Sequence, residues 1–425
     1  MEIVNKDSAI KRRLDMKTKL MKMTGLFLAL ALIVSSFGMF AIPSVAANEQ
    51  GEECDCGYAS NGFCYKCDGY EKPDLLPDTL NTYVIRNAGN LYWFAENINN
   101  GKIHSSSNIW LDNDIVIGQT IPFNTVTGKF EGDLSKLRKW VPIGIGDKAF
   151  SGNIYGNGHS IEGLYVESKY DNYIVGFIGF YGGGTISDLN ITNSYFGISV
   201  IDNIVKYGGS IVGLMVDGNM VNCSSSATVE VGQAINGGMA PTIIGGLVGS
   251  LEYSTVENSV FRGKILINDY SNAGGLVGNS ICRANYGAVI EFSEIKNSAF
   301  TGTITNNNNP DGVIGSIAAK ISSGYYDSLY YIGSLDWYAS ILEYRDAGNA
   351  YEFQPKHVNN INAMGEMQEH ELCNILGSHQ YVRGKCLLCG YTCSEHEYED
   401  KNCKHCGLGM SLVKDIILNV PTEVF

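Results

Sequence analysis

The sequence has little proline, few charged residues and no excess of positive charge. Its 425 residues include 9 prolines against 50 glycines, and 17% of them are charged, with a formal net charge of −14. Scarce proline beside abundant glycine, tyrosine and β-branched residues favours β-structure with many turns over disorder. The acidic balance argues against nucleic-acid binding, which needs a basic surface, and against adhesion to anionic lipid.

Long apolar runs are also absent, except near the start. The basic residues 11–13 precede an apolar run over residues 26–42, and the small residues 44–46 offer a cleavage site. This pattern predicts a secretory signal peptide over residues 1–47, with an uncleaved membrane anchor as the alternative. The protein is therefore expected to be secreted or attached to the cell surface, with no membrane span after cleavage.

Short glycine-bounded apolar quartets recur through the middle of the chain. The five runs are 175–179, 209–213, 245–249, 274–278 and 311–315. Their closing glycines lie 34, 36, 29 and 37 residues apart, and self-similarity at this period indicates a repeat architecture.

The segments after the quartets indicate what kind of repeat this is. Residues 256–265, VENSVFRGKI, match residues 295–304, IKNSAFTGTI, and Cys223 takes the place of Ser259 and Ser298. Each unit then offers three short strand-like runs, namely the quartet, the stretch around the Asn and an alternating run. Three strands in about thirty residues predict one coil of a right-handed parallel β-helix, with the quartets stacked in one sheet and Cys223 buried as a small apolar residue.

The quartets resemble the GLUG motif of bacterial surface proteins. Residues 246–249 and 275–278 fit the motif fully, and the other three have Phe, Ile or Val in place of Leu. The resemblance implies an extracellular repeat region and supplies no catalytic residues. The predicted fold class is accordingly all-β, with the β-helix over residues 85–345.

Two features of the predicted β-helix lie outside its repeat pattern. Leu91, Phe94, Ala95 and Ile98 have helical spacing before Asn100-Gly101, which predicts a short helix that caps the open end of the stack. The stretch 280–289 lengthens one unit, and insertions in a solenoid form loops on its flank.

Four cysteines follow the leader, namely Cys54, Cys56, Cys64 and Cys67. Two close thiol pairs suit a tetrahedral zinc site, while two disulfides are the alternative in an exported protein. The run CYKCDG resembles a zinc-ribbon knuckle, so we predict a four-cysteine zinc module over residues 48–72. Residues 73–84 are predicted to be a linker.

The glycine rhythm stops after residue 351, and a linker over 346–365 leads to a Cys/His-rich segment over 366–410. Two candidate ligand sets are Cys373, His379, Cys386 and Cys389, and then Cys393, His396, Cys403 and Cys406. The His, the Cys-x2-Cys pair and the next glycine recur 17 residues later.

Disulfides would not explain why histidine recurs in step with cysteine, whereas each set suits one structural zinc ion with no position left for water. The identity of the fourth ligand in each set is undecided. Cys373 and Cys393 differ in their spacing from the other ligands, and His370 and His405 are alternatives to them. These sets resemble small ribbon-like zinc modules of exported proteins. With the N-terminal cluster they predict three structural zinc ions, followed by a tail over 411–425.

Motifs of catalysis are missing as well. The sequence has no His-Glu-x-x-His run, no Ser-His-Asp order and no acidic pair at matching positions of adjacent units. The predicted function is non-catalytic adhesion or binding of an extracellular carbohydrate or protein. The alternative is a polysaccharide lyase or hydrolase of the β-helix class.

Overall fold

The computed structural model describes residues 56–332, apart from 147, 169–172, 200–203, 234–241, 282, 286–287, 308–313 and 322–323, together with five short strands after residue 356. All of them belong to one unit, Cys56–Phe425. The predicted signal peptide, Cys54, most of the predicted linker at 346–365 and the predicted tail at 411–425 lie outside the described residues.

The described chain begins with residues 56–72, which we call the cysteine loop, and continues into an N-terminal helix. Its first elements are β1 (Asp74–Leu75), β2 (Thr82–Ile85), α1 (Ala88–Asn99), β3 (Asn108–Leu111) and β4 (Ile115–Val116). Asn87 caps α1 by accepting a hydrogen bond from the Asn90 N–H, and Gly101 follows with a positive φ of 69°. The predicted helix is thus confirmed, and it starts three residues earlier than Leu91.

A small hairpin follows β4 in the chain. It consists of β5 (Phe123–Asn124) and β6 (Lys129–Phe130), and a 3₁₀ turn at Leu134–Lys136 follows it. Phe130 packs edge-to-face on Tyr165, with ring centroids 5.8 Å apart, in a small cluster separate from the main core.

The repeats follow as stacked coils. The first, partial coil has β7 (Ile154–Tyr155), β8 (Ser160–Glu162) and β9 (Tyr165–Glu167). The second has β10 (Ile174–Val175), β11 (Ile178–Tyr181), β12 (Gly184–Ser187), β13 (Asn190–Thr192) and β14 (Tyr195–Ile198). The third has β15 (Lys206–Gly208), β16 (Val212–Val216), β17 (Gly218–Val221), β18 (Ser224–Ser225) and β19 (Thr228–Val231).

Two further coils and eight later strands complete the described strands. The fourth coil has β20 (Thr242–Gly245), β21 (Val248–Glu252), β22 (Thr255–Glu257), β23 (Val260–Phe261) and β24 (Lys264–Ile267). The fifth has β25 (Ser271–Gly274), β26 (Val277–Ile281), β27 (Arg283–Asn285), β28 (Ala288–Glu291), β29 (Ser293–Phe300) and β30 (Thr303–Asn306). Then come β31 (Ile314–Gly315), β32 (Ala318–Ile321), β33 (Gly324–Ile332), β34 (His357–Met364), β35 (Tyr381–Val382), β36 (Lys385–Cys386), β37 (Tyr398–Glu399) and β38 (Asn402–Cys403).

Apart from the hairpin β27–β28, the coil strands pair in parallel with their counterparts in the neighbouring coils. The sheet orders are β10-β15-β20-β25-β31, β11-β16-β21-β26-β32 and β30-β24-β19-β14-β9, and one long sheet contains the other stacked strands. The chain is therefore strand-rich with parallel sheets, an arrangement compatible with the predicted parallel β-helix. One continuous core cluster runs from Phe63 to Ala318 through these coils.

The quartets form corners between two sheets, so the prediction that each is a strand within one sheet is wrong. In the fourth coil, β20 ends at Gly245 and β21 begins at Val248, and Gly246 and Leu247 make the bend between them. A coil of the described structure consequently has up to five stacked strands and not three, the hairpin β27–β28 left aside. The pattern misled because a buried corner and a buried strand are both short apolar runs.

The fifth quartet is displaced by four residues from its predicted place. Gly315 pairs with Gly274, the first glycine of the preceding quartet, and Ala318 pairs with Val277. The corner is therefore formed by residues 315–319, with Ala319 in place of the closing glycine. Pairing with the neighbouring coil fixes this register, which the local glycine spacing does not.

The matched Asn-Ser tails form a second, polar corner. Asn222, Asn258 and Asn297 all have left-handed backbones, with φ of 55°, 51° and 46°. The residue after each Asn points into the stack, namely Cys223, Ser259 and Ser298. The Cys223 N–H donates to Ser259 Oγ and the Ser259 N–H donates to Ser298 Oγ, each at 3.1 Å. Cys223 is fully buried, which confirms its predicted environment.

The predicted flank insertion contains a hairpin of its own. β26 stays in the stack to Ile281, and β27 and β28 then pair antiparallel with each other. Glu252 pairs with Ile281 before the hairpin, and Thr255 pairs with Glu294 after it. Ile281 and Phe292 therefore correspond to the consecutive residues Glu252 and Tyr253 of the preceding coil.

Deleting residues 282–291 is expected to join Ile281 to Phe292 and recreate the two-residue corner of the fourth coil. The free energy of unfolding should change by about 1 kcal/mol or less, because closure costs vary slowly with loop length. Chemical denaturation of the two proteins checks this, and a loss of several kcal/mol would show that the hairpin supports the core.

Candidate metal centre

Three of the predicted ligands lie together in the described structure. The sulfur atoms of Cys56, Cys64 and Cys67 all lie within 4.8 Å of one another, and those of Cys56 and Cys67 are 3.4 Å apart. Cys64 is buried, and Cys56 and Cys67 are partly exposed. A buried thiol beside two others is the donor arrangement of a metal site.

A narrow antiparallel loop brings these thiols together. Tyr58 pairs with Cys64 across the loop, and the Cys64 N–H donates to the Gly69 carbonyl at 2.9 Å. The chain then turns back after Cys64, where the Lys66 N–H donates to the Cys64 sulfur at 3.4 Å. Such a turn aims backbone N–H groups at a sulfur, which stabilises its thiolate form.

Gly69 leaves the space that the sulfurs occupy. A Cβ atom at this position would lie 3.1 Å from the Cys67 sulfur and 3.3 Å from the Cys56 sulfur. Any larger side chain would therefore press against both ligands. The sequence pattern contained this glycine, but only the structure shows why it is needed.

The surroundings favour the ionised form of Cys64. Burial opposes ionisation, but hydrogen bonds from the Lys66 N–H, the thiols of Cys56 and Cys67 and the Cys67 N–H outweigh it and lower the pKa of Cys64 to about 6. Tyr58 behaves oppositely, because burial, and then its hydrogen bond to Cys56, raise its pKa to about 12. A thiolate beside a protonated hydroxyl is ready for a soft divalent cation at neutral pH.

The separation of the Cys56 and Cys67 sulfurs, 3.4 Å, is compatible with a metal ion bound between them. A Zn–S bond of about 2.3 Å places tetrahedral sulfurs about 3.8 Å apart, close to the separation between Cys56 and Cys67. A disulfide would need about 2.05 Å. These residues would supply three donors, and the predicted fourth donor, Cys54, lies outside the described residues.

The predicted C-terminal ligands are described only in part. Cys386 lies in β36 and Cys403 in β38, opposite Tyr381 and Tyr398 in antiparallel pairs. Six other predicted ligands, Cys373, His379, Cys389, Cys393, His396 and Cys406, lie outside the described residues, and their metal binding stays a prediction.

Several carboxylates of the first coils have structural partners. Asp112 and Asp74 both pair with Arg86, and the Ser160 N–H donates to Asp114 Oδ1 at 2.7 Å. Burial would raise the pKa of Asp114, but the bonds from Ser160 and His159 outweigh it and lower that pKa. These acids therefore hold neighbouring turns together.

The comparisons with known proteins leave the family open. No protein-family model and no curated protein matches the chain. One solved structure, described as “a putative immunoglobulin A1 protease from Bacteroides ovatus”, is similar over 69% of this chain and 86% of its own, with 17% sequence identity and a TM-score of 0.41. Among the described residues, no helix is both long enough and apolar enough to cross a membrane.

Proposed function

We propose that this chain is a secreted or surface-associated repeat protein of the GLUG-motif kind. Its right-handed parallel coils would bind an extracellular carbohydrate or protein without catalysis, and structural zinc ions would stabilise its terminal modules. The observation that carries the proposal is the stack of parallel coils that follows a cluster of three cysteine sulfurs close enough to share a metal ion. The resemblance of the quartets to surface-protein repeats supports the extracellular setting.

The partner is best sought with a binding panel, because the repeats indicate a binding surface without indicating the chemistry of its ligand. We expect the full mature chain to bind one or more immobilised polysaccharides or host-surface proteins and to leave the polysaccharides intact. Release of shorter chains from any polysaccharide, abolished by replacing acids of one coil face, would instead favour the lyase or hydrolase alternative.

A shared backbone pairing supports zinc in all three modules. In the described N-terminal loop, Tyr58 pairs antiparallel with Cys64, the first cysteine of Cys-x2-Cys. Tyr381 pairs with Cys386, and Tyr398 with Cys403, in the same way. One further predicted ligand precedes each tyrosine by two residues, namely Cys56, His379 and His396. The three modules therefore share one ligand pattern, with His in place of Cys in the last two.

Metal analysis of the full chain, purified under reducing conditions, is expected to find about three zinc ions by ligand count. Deleting residues 366–410 should remove two of them, and His379→Ala or His396→Ala should each weaken one site. His104→Ala is the matched control, because His104 bonds only locally to Ser106 in the described structure. Metal-free protein with paired cysteines would overturn the zinc proposal.

A further inference from the structure

The cysteine loop packs directly against the N-terminal helix. Phe63, the neighbour of Cys64, is 8% exposed and belongs to the main core. Its ring lies edge-to-face on Tyr92 of α1 at 5.5 Å and on Tyr70 at 5.9 Å. The guanidinium of Arg138 covers the same ring at 3.9 Å. An apolar anchor inside a metal loop therefore enters the core of the coils.

Polar contacts fix the loop to the first turn of the helix. The Gly89 N–H donates to the Asn61 carbonyl at 2.7 Å, and the N-cap residue Asn87 donates through its side chain to Glu71 at 2.7 Å. A Cβ atom on Gly89 would overlap the Gly62 carbonyl. The helix start and the loop are thus in backbone contact, and glycine at 89 is required for it.

Aromatic contacts continue from the helix into the first repeat. Tyr92 packs edge-to-face on Trp140 at 5.0 Å, and Trp140 stacks on Phe177 of the first quartet at 5.5 Å. The Trp140 Nε1–H also donates to the Phe177 carbonyl at 3.0 Å. One path of contacts therefore leads from Cys64 through Phe63, Tyr92 and Trp140 to the coil stack.

We propose that metal binding at Cys56, Cys64 and Cys67 controls closure of the N-terminal end of the coil stack. The inference rests on the proposed metal site and adds a regulatory role to it. A loop this short has no core of its own and depends on metal for its fold. Without metal, Phe63 loses its fixed position, α1 loses the contacts at its first turn, and the end of the stack opens. An extracellular chelator or a fall in zinc would then loosen the cap.

The test is hydrogen exchange and thermal unfolding of the full chain, comparing Cys67→Ser with the matched C-terminal variant Cys406→Ser. Each should lose one zinc ion. Cys67→Ser is expected to speed exchange over 88–99 by at least about tenfold, because locally opened segments lose protection first. It should also lower the Tm by about 5 °C. Cys406→Ser should leave exchange in α1 unchanged.

Gly89→Ala separates coupling from metal binding. Alanine has the higher helix propensity, so an undocked helix would be stabilised by it, whereas the docked helix should lose its contact with Gly62. We expect the variant to keep all its zinc, to show fast exchange in α1, and to respond no further to loss of the N-terminal zinc.

The outcomes distinguish the two proposals. If the N-terminal module binds zinc, but losing that zinc changes neither hydrogen exchange in α1 nor the Tm, the coupling alone is overturned. A Gly89→Ala protein with a raised Tm also overturns it. Absence of zinc from the N-terminal module would overturn both the metal site and its coupling.

Discussion

Leu247→Asp is expected to unfold the coils. Leu247 forms the corner of the fourth coil, is fully buried and belongs to the main core cluster. A carboxylate there would have no partner of opposite charge among the residues stacked on it, and an unpaired buried charge costs several kcal/mol. Circular dichroism and size exclusion should show loss of β-structure or aggregation.

The same corner recurs along the stack, which gives the experiment its replicate and its control. Ile211, Leu247, Leu276 and Ile317 occupy this place in successive coils and are linked by backbone hydrogen bonds. Leu276→Asp should therefore have the same effect as Leu247→Asp. Val116→Asp, at a side chain that is 56% exposed, should leave the fold intact. Soluble Leu247→Asp protein with an unchanged spectrum would contradict the described corner.

Gly245→Ala is expected to be the next most damaging substitution. A Cβ atom at residue 245 would overlap the Val248 carbonyl and would lie 2.7 Å from the Gly278 backbone nitrogen in the next coil. Gly245 is not among the glycines with positive φ, so the cost is steric and not conformational. Backbone atoms cannot rotate away as a side chain would, and we expect a loss of about 3 kcal/mol, at the upper end of overpacking costs.

Gly232→Ala is the matched control for this substitution. The nearest atom to a Cβ at residue 232 is the Ile198 carbonyl oxygen at 3.5 Å, an ordinary contact distance. Chemical denaturation should therefore show a large loss for Gly245→Ala and a change of less than about 1 kcal/mol for Gly232→Ala. Equal effects would mean that the quartet glycines serve flexibility and not close packing.

Much of the fold could be predicted because the repeats are local and periodic. The quartet repeat, the Asn-Ser tails and the helical spacing from Leu91 are each visible in a few residues. They indicated parallel coils and a helix from Leu91 to Asn99, which in the structure starts at Ala88. The cysteine spacing likewise indicated a metal module, and the described sulfurs lie close enough together to form one. These features depend on residue type and spacing alone.

The sequence by itself thus determined the repeat period, the helix and the grouping of the thiols, whereas three features were decided by tertiary contacts. The quartets became corners because the strands on either side of them pair in different sheets. The fifth quartet moved by four residues because Gly315 pairs with Gly274 across the coils. The cysteine loop joined the main core because Phe63 packs on Tyr92 of α1, 29 residues later in the sequence. Each depends on a partner distant in sequence, and a local pattern carries no information about which distant partner a residue will meet.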